Sequence, residues 1–198
     1  MEQNSPSRKR GDRLIESIYD ATVEIIRTEG YANLTFQKVA RLAQTSRTVL
    51  YRRWATPLDM IREMTVHRSS QALGGELTDQ VKDTGSLRGD ILYLMELHQK
   101  IYVAVGSEIM NAMLFEIGQH NTQMPTIKGN VDFRNMQAIE KVLGFAKARG
   151  EKVKTLSEPA LTLPFDLMRI GYLCGQPALD KAALKQLVDE ILLPVLTY

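Results

Sequence analysis

The sequence predicts an all-α protein, with a small N-terminal helical unit followed by a larger helical one. Three observations lead there. Apolar residues recur at steps of three and four along most of the chain, and no stretch alternates as a half-buried strand would. Helix punctuation is frequent: cap residues, Pro at first turns, and Gly just past helix ends. With 198 residues, 44% of them hydrophobic, the chain can bury a sizeable core.

The elements follow in order. Residues 1–11 are polar, contain Pro6 and Gly11, and read as a flexible segment. A helix is expected from Asp12 to Glu29, with Leu14, Ile18, Ala21 and Ile25 on one stripe and Gly30 past its end. A second begins at Thr35, where Phe36, Val39, Ala40 and Ala43 share a face. Gln44-Thr45-Ser46 suits a turn, and Ser46 suits the N-cap of a third helix reaching Trp54. Thr56-Pro57-Leu58-Asp59 reads as an N-cap, a first-turn Pro and an acid near the positive helix end. That fourth helix runs to about Ser70. After a linker holding Gly74-Gly75, helices are expected near 87–104, 107–119, 127–149, 157–174 and 178–196. Met124-Pro125, Gly150 and Gly175-Gln176-Pro177 mark breaks between them.

Charge gives the first functional signal. The net charge is only +2, but residues 1–70 carry 12 basic and 8 acidic groups, while the rest is net acidic. Between Gly30 and Leu58 there is no Asp or Glu, yet Lys38, Arg41, Arg47, Arg52 and Arg53 all fall there. A surface facing phosphates needs this, because a carboxylate there would repel the backbone. A solvated basic face would look the same over so short a run.

Other classes find little support. One cysteine, Cys174, rules out an internal disulfide, fits a reducing, cytoplasmic setting and reads as a small core residue. Arg8-Lys9-Arg10 is followed by residues too charged for a signal peptide, and no run approaches a membrane span. His67, His98 and His120 lack metal-ligand spacing, so neither metal nor cofactor is expected. No nucleophile elbow or Gly-rich phosphate loop argues for an enzyme.

Residues 35–54 have the size of a helix-turn-helix. On the second helix, Arg47, Thr48, Tyr51 and Arg52 lie on one arc, opposite Val49, Leu50 and Trp54. The polar arc suits the major groove: Arg can bond guanine with two donors, and Thr can touch a thymine methyl. The tyrosine hydroxyl can reach a phosphate.

These residues carry a family resemblance. Leu34-Thr35-Phe36-Gln37-Lys38-Val39-Ala40 resembles the first reading helix of TetR-family regulators. Ala43-Gln44-Thr45-Ser46-Arg47-Thr48-Val49-Leu50-Tyr51-Arg52-Arg53-Trp54 resembles their turn and recognition helix. Glu29-Gly30-Tyr31 and Leu58-Asp59-Met60-Ile61 resemble the neighbouring helix exit and helix start. Three departures stand out. Gln44 occupies a turn position usually held by glycine, Pro57 replaces a usual lysine, and Arg53-Trp54 replaces a histidine and an aromatic.

The resemblance implies a basic arm over 1–11, a DNA-binding domain over 12–56, and a ligand-binding and dimerisation domain over 57–198. It implies base contacts from Arg47 and Thr48, and a base or phosphate contact from Gln37. Phosphate contacts would come from Thr35, Ser46, Tyr51 and Arg52, with Arg8, Lys9 and Arg10 reaching along the duplex. The implied partner is an inverted-repeat operator bound by a homodimer and released by a small apolar or amphipathic ligand. Met95, His98, Met110, Met113, Phe133, Met136 and Tyr172 are the expected ligand residues, since methionine and aromatic side chains adapt to apolar ligands. Ordinary core packing would use the same residue types. Leu161, Phe165, Met168, Leu184, Leu187, Val188 and Ile191, on the last two helices, are the expected dimer face. A different class remains open, a nucleoid or division-type factor whose C-terminal domain binds a protein partner.

Overall fold

The computed structural model describes residues 6–119 and 124–198. Among the described residues the elements are all helices joined by turns and loops, and the sole β-type pairing is one isolated bridge, Val153 to Thr197. Helix α1 spans Pro6–Glu29, α2 Phe36–Leu42, α3 Arg47–Arg53 and α4 Pro57–Leu73. The short α5 is Leu77–Gln80, followed by α6 Leu87–Val105, α7 Ser107–Gly118, α8 Met124–Ala148 and α9 Glu158–Leu173. The last rod starts as α10, Lys181–Gln186, widens into a π-helical turn over Leu187–Leu192, and closes as α11, Leu193–Leu196. No helix among the described residues is long and apolar enough to cross a membrane.

Two helix starts differ from the sequence reading, for one reason. Helix α1 begins at Pro6, not Asp12, and α8 begins at Met124, not 127. Proline is tolerated in a first turn, where its missing N–H would have had no partner. Gly11 then lies inside α1, where a single glycine costs only about 1 kcal/mol. The segment expected to be flexible is therefore helical from Pro6 onward. The side chains of Arg8, Lys9 and Arg10 lie outside the described residues, as does His120.

Packing divides the apolar interior into two clusters. One joins Ile18, Tyr19, Ala21, Ile25 and Ile26 of α1 to Phe36, Val39, Ala40, Leu50 and Trp54. It also draws in Met60, Ile61 and Met64 of α4, and Val105, Ile109 and Ala112 from the α6–α7 elbow. The second holds α5, α6, α8, α9 and the C-terminal rod around Leu94, Met95, Ile139, Val142, Phe165 and Val188. The elbow thus belongs to the N-terminal core although it is remote in sequence. Gly106 forms that elbow at φ 86°, ψ 153°, backbone that is essentially restricted to glycine.

A buried charge network closes the C-terminal unit. Asp90 is fully buried and accepts from the Thr84 N–H at 2.6 Å, the Thr84 hydroxyl at 2.7 Å, and Arg149 at 2.6 Å. Arg149 also pairs with Asp83 and donates to Glu151 at 2.8 Å, and Glu151 accepts from the Leu87 N–H. The end of α8 is thereby tied to the first turn of α6.

The expected dimer face needs correction. Leu161, Phe165, Met168, Leu184 and Val188 are buried in the chain's own core and offer no area to a partner. Leu187 is half-buried, and Ile191 is exposed. The helical stripe was read correctly as apolar, but it faces inward. Ile170 on α9 is the large apolar residue that faces outward there. Cys174, expected in the core, is exposed just past the end of α9, where the chain reverses at Gly175.

Candidate nucleic-acid interface and ligand core

Helix α3 has seven residues, too few to hold together alone in water. Its start is fixed by the Ser46 hydroxyl, which accepts from the Val49 N–H at 3.3 Å. Its inner face is fixed by Leu50 and Trp54, both essentially fully buried. Its end is held by Glu63 of α4. That carboxylate accepts from the Trp54 indole at 2.9 Å, from Arg53 Nε at 2.9 Å, and from the Tyr19 hydroxyl at 3.2 Å. Burial pushes the Glu63 carboxyl up, but the donors from Arg53 and Trp54 outweigh it and hold it below its ordinary value.

Helix α2 meets α3 across a turn that contains the chain's one positive-φ non-glycine among the described residues, Gln44 at φ 52°. Gln44 stands at the turn position that resembles the family's usual glycine, and its backbone is left-handed at a cost on the order of 1 kcal/mol. Helix α2 is N-capped by Thr35, whose side chain accepts from the Lys38 N–H. Helix α4 opens with a reciprocal cap: Thr56 accepts from the Asp59 N–H and Asp59 accepts from the Thr56 N–H.

All seven residues expected to meet DNA lie on the outside. Thr35, Gln37, Ser46, Arg47, Thr48, Tyr51 and Arg52 are exposed. Tyr51 is 63% exposed and rests edge-on against buried Phe36, with ring centroids 5.0 Å apart. That contact aims its hydroxyl outward. Among the described residues Arg41, Arg47 and Arg52 have no carboxylate partner, whereas Lys38 is held by Glu29 at 2.6 Å and Arg53 by Glu63. The carboxylate-free stretch of sequence therefore becomes a surface carrying three uncompensated guanidinium groups.

Of the seven residues expected around a ligand, Met95, Met110, Met136 and Tyr172 lie in or against the C-terminal cluster and His98 stacks on Tyr102 of that cluster, whereas Met113 and Phe133 do not join them. Met95 is fully buried in the C-terminal core, and Met136 is packed against that core. Met110 touches both clusters, and Met113 packs against the N-terminal one alone. Phe133 is 57% exposed and points away from the interior, so it lines no interior site. Its position on α8 falls outside the inward stripe of Asp132, Asn135 and Ile139, which are all buried.

His98 and Tyr172 do converge, with residues that sequence reasoning did not gather. His98 stacks on Tyr102 at 4.7 Å, Tyr102 stacks on Tyr172 at 4.8 Å, and Phe165 meets His98 edge-on at 4.7 Å. Beside this ladder Arg169 pairs with Asp166 at 2.7 Å and lies 3.6 Å from Asp132. Both ring nitrogens of His98, the Asn135 amide nitrogen and the Tyr172 hydroxyl are buried without a hydrogen-bond partner. Native interiors satisfy nearly all such atoms, so each exception needs an explanation. The signal in sequence was faint: Asp132 and Asn135, three apart on α8, share a face with Ile139 and Val142.

Burial, reinforced by the nearby Arg169 charge, pushes the His98 imidazole down to about 3 from its usual 6.5. Between those two values the unfolded chain binds a proton that the folded chain refuses. Stability is therefore unaffected by His98 above about pH 6.5 and falls as pH drops below it, by about 1.4 kcal/mol per unit. From pH 7 to pH 5 this one residue should remove about 2 kcal/mol. Urea midpoints for the wild type and His98→Leu at both values check this. The variant should lose clearly less on acidification, and equal losses would contradict the assignment.

Comparison with known proteins agrees with this geometry. Residues 18–64 match the family model described as bacterial regulatory proteins, tetR family. Residues 81–191, more than half of the chain, match the tetracyclin repressor-like C-terminal domain. The chain is 24% identical over 185 residues to the DNA-binding transcriptional repressor TetR of Mycobacteroides abscessus, spanning 93% of this chain and 94% of that protein. Its fold is like that of the transcriptional regulator FadR from Bacillus subtilis, solved in complex with stearoyl-CoA. That match has a TM-score of 0.67, 16% identity, and coverage of 89% of this chain and 95% of that one. Salmonella enterica GusR is similar to the same degree, with TM-score 0.67, 14% identity, and coverage of 90% and 95%. A helix-turn-helix with its polar face outward, continuous with a helical C-terminal unit, and matches that span both units lead to one conclusion: the chain belongs to the TetR family of bacterial transcription regulators.

Proposed function

We propose that the chain is a cytoplasmic repressor that holds an inverted-repeat operator as a homodimer and leaves it when a small molecule enters the C-terminal unit. The observation that carries this reading is the outward set Arg47, Thr48, Tyr51 and Arg52 on a helix whose other side is buried. In this reading Arg47 and Thr48 contact base edges, with Gln37 beside them. Ser46 and Thr35 spend their lone pairs on their own helix caps and keep their hydroxyl protons for phosphate oxygens. Tyr51 and Arg52 supply further phosphate contacts.

Two copies related by a two-fold axis would set their α3 helices one DNA turn apart, roughly 34–36 Å. The apolar residues left outside on the last helices, Ile170 and Ile191 with half-buried Leu187, form the surface on which a second copy would pack. Release would run through the α6–α7 elbow. Helix α6 carries His98 and Tyr102 in the C-terminal unit, and only two turns later Val105, Ile109 and Ala112 sit in the core that holds the helix-turn-helix. Tyr31, beside that core, donates to Glu116 of α7 at 2.5 Å and meets Phe115 edge-on. A shift of α6 would thus tilt the reading helix, and a coupling of about 1–3 kcal/mol is enough for regulation.

DNase footprinting on the promoter region upstream of the chain's own gene tests the reading. A protected inverted repeat with half-site centres about one helical turn apart is expected. An asymmetric or absent footprint at low salt, with folded protein, rejects it.

A further inference from the structure

A cavity of about 270 Å³ lies where the helix-turn-helix meets α7. Three segments enclose it. Tyr31 and Leu34 belong to the 3-10 turn that leads into α2, Thr56 and Leu58 to the start of α4, and Phe115 and Glu116 to α7. A water molecule takes up about 30 Å³ in the liquid, so the space equals about nine waters and suits a one-ring molecule.

The lining has an apolar floor and one charge. Leu34 and Leu58 are buried, and Pro57 lies beside them. Phe115 is 41% exposed, and it meets Tyr31 edge-on with ring centroids 5.4 Å apart. Aromatic faces carry negative potential and attract cations. Glu116 is the one charged side chain in the lining. It accepts from the Tyr31 hydroxyl at 2.5 Å. That bond uses one of the roughly four lone-pair directions of a carboxylate. The start of α4 brings a partial positive charge, but Asp59 already sits on it, accepting from the Thr56 N–H and hydroxyl. Two rings and a carboxylate therefore decide the sign. A cation is favoured there, and an anion would meet Glu116 with no basic side chain in the lining to offset it.

We propose that this cavity is a second small-molecule site, separate from the C-terminal core, and that it takes a small organic monocation, an amine on a one-ring apolar body. The apolar body lies against Leu34, Pro57 and Leu58, and the ammonium group faces Glu116. The place of the site gives it a lever. It touches the chain just before α2 and just after α3 on one side, and α7 on the other. A molecule there fixes the helix-turn-helix against α7, so its binding changes operator affinity, and the operator changes its affinity by the same factor. The lever rests on reading the chain as a DNA-binding regulator; binding of the amine does not.

The experiment titrates full-length protein calorimetrically with 2-phenylethylamine, 2-phenylethanol and phenylacetate, which share a ring and differ in charge. The amine should bind about fivefold more tightly than the alcohol, and the anion more weakly than both. Glu116→Gln keeps an acceptor for Tyr31. It should bring the amine down to the level of the alcohol and leave the alcohol unchanged. Phe115→Ala removes an exposed ring and should weaken amine and alcohol alike; it serves should Glu116→Gln fail to fold. No preference for the amine, or an amine affinity that neither substitution lowers, would overturn the site. Operator affinity with and without saturating amine reads the lever, and a change of about threefold or more is expected. Amine binding with unchanged operator affinity overturns the lever. Absence of operator binding without any amine is instead the failure of the DNA-binding reading.

Discussion

Arg47→Ala combined with Tyr51→Ala is expected to lower operator affinity about a hundredfold or more at fixed salt. Each good base contact from an arginine carries about 1–3 kcal/mol of discrimination, and a phosphate contact adds to it. Both side chains are exposed, so the protein should remain folded. Tyr51 does pack its ring edge-on against Phe36, so the double variant removes some packing too. Tyr51→Phe separates the two effects, because it keeps the ring and deletes the hydroxyl. Electrophoretic mobility shift with the upstream promoter fragment measures all three proteins. Affinity within threefold of wild type for the double variant would remove α3 from the reading role. Arg52→Ala should behave differently, weakening binding to all sequences alike and reducing the salt dependence by about one counterion.

Asp90→Ala is expected to destabilise the protein by about 3–5 kcal/mol, the usual effect of removing one partner from a buried charge network. The carboxylate is fully buried and accepts three hydrogen bonds, from the Thr84 N–H, the Thr84 hydroxyl and Arg149. Its loss strands the Thr84 N–H and deprives Arg149 of its most buried partner. A typical domain is stable by only about 5–15 kcal/mol, so the change is a large share of the whole. Urea unfolding followed by circular dichroism gives the number. A loss below about 1 kcal/mol would show that Arg149 finds full compensation in Asp83 and Glu151.

The parts of the fold that obey local rules were legible in the sequence. Ser46 and Thr56 are N-caps, Pro57 occupies a first turn, and Phe36, Val39, Ala40 and Ala43 turn inward together. The outward face of α3 was legible because burial of Leu50 and Trp54 dictates where Arg47, Thr48, Tyr51 and Arg52 must point. Periodicity finds an apolar stripe but not its occupant. The stripe on α9 and the last rod was expected to meet a second copy, and it meets the chain's own α6 and α8 instead. Glu63 was equally invisible: nothing local says that a carboxylate on α4 gathers Tyr19, Arg53 and Trp54. The same limit hid the ring ladder of Phe165, His98, Tyr102 and Tyr172, which come from two helices and meet only in the folded chain.

Selection of bound sequences from a random DNA pool, run in parallel on wild-type protein, Arg47→Ala and Arg27→Ala, tests the central claim most directly. Arg27 is an exposed arginine of α1 already held by Glu24, so its removal changes charge without touching the reading face. Wild-type protein should enrich an inverted repeat. Arg47→Ala should lose base preference at one symmetric pair of positions and keep it elsewhere, while Arg27→Ala keeps the full pattern. An unchanged pattern for Arg47→Ala would contradict the account.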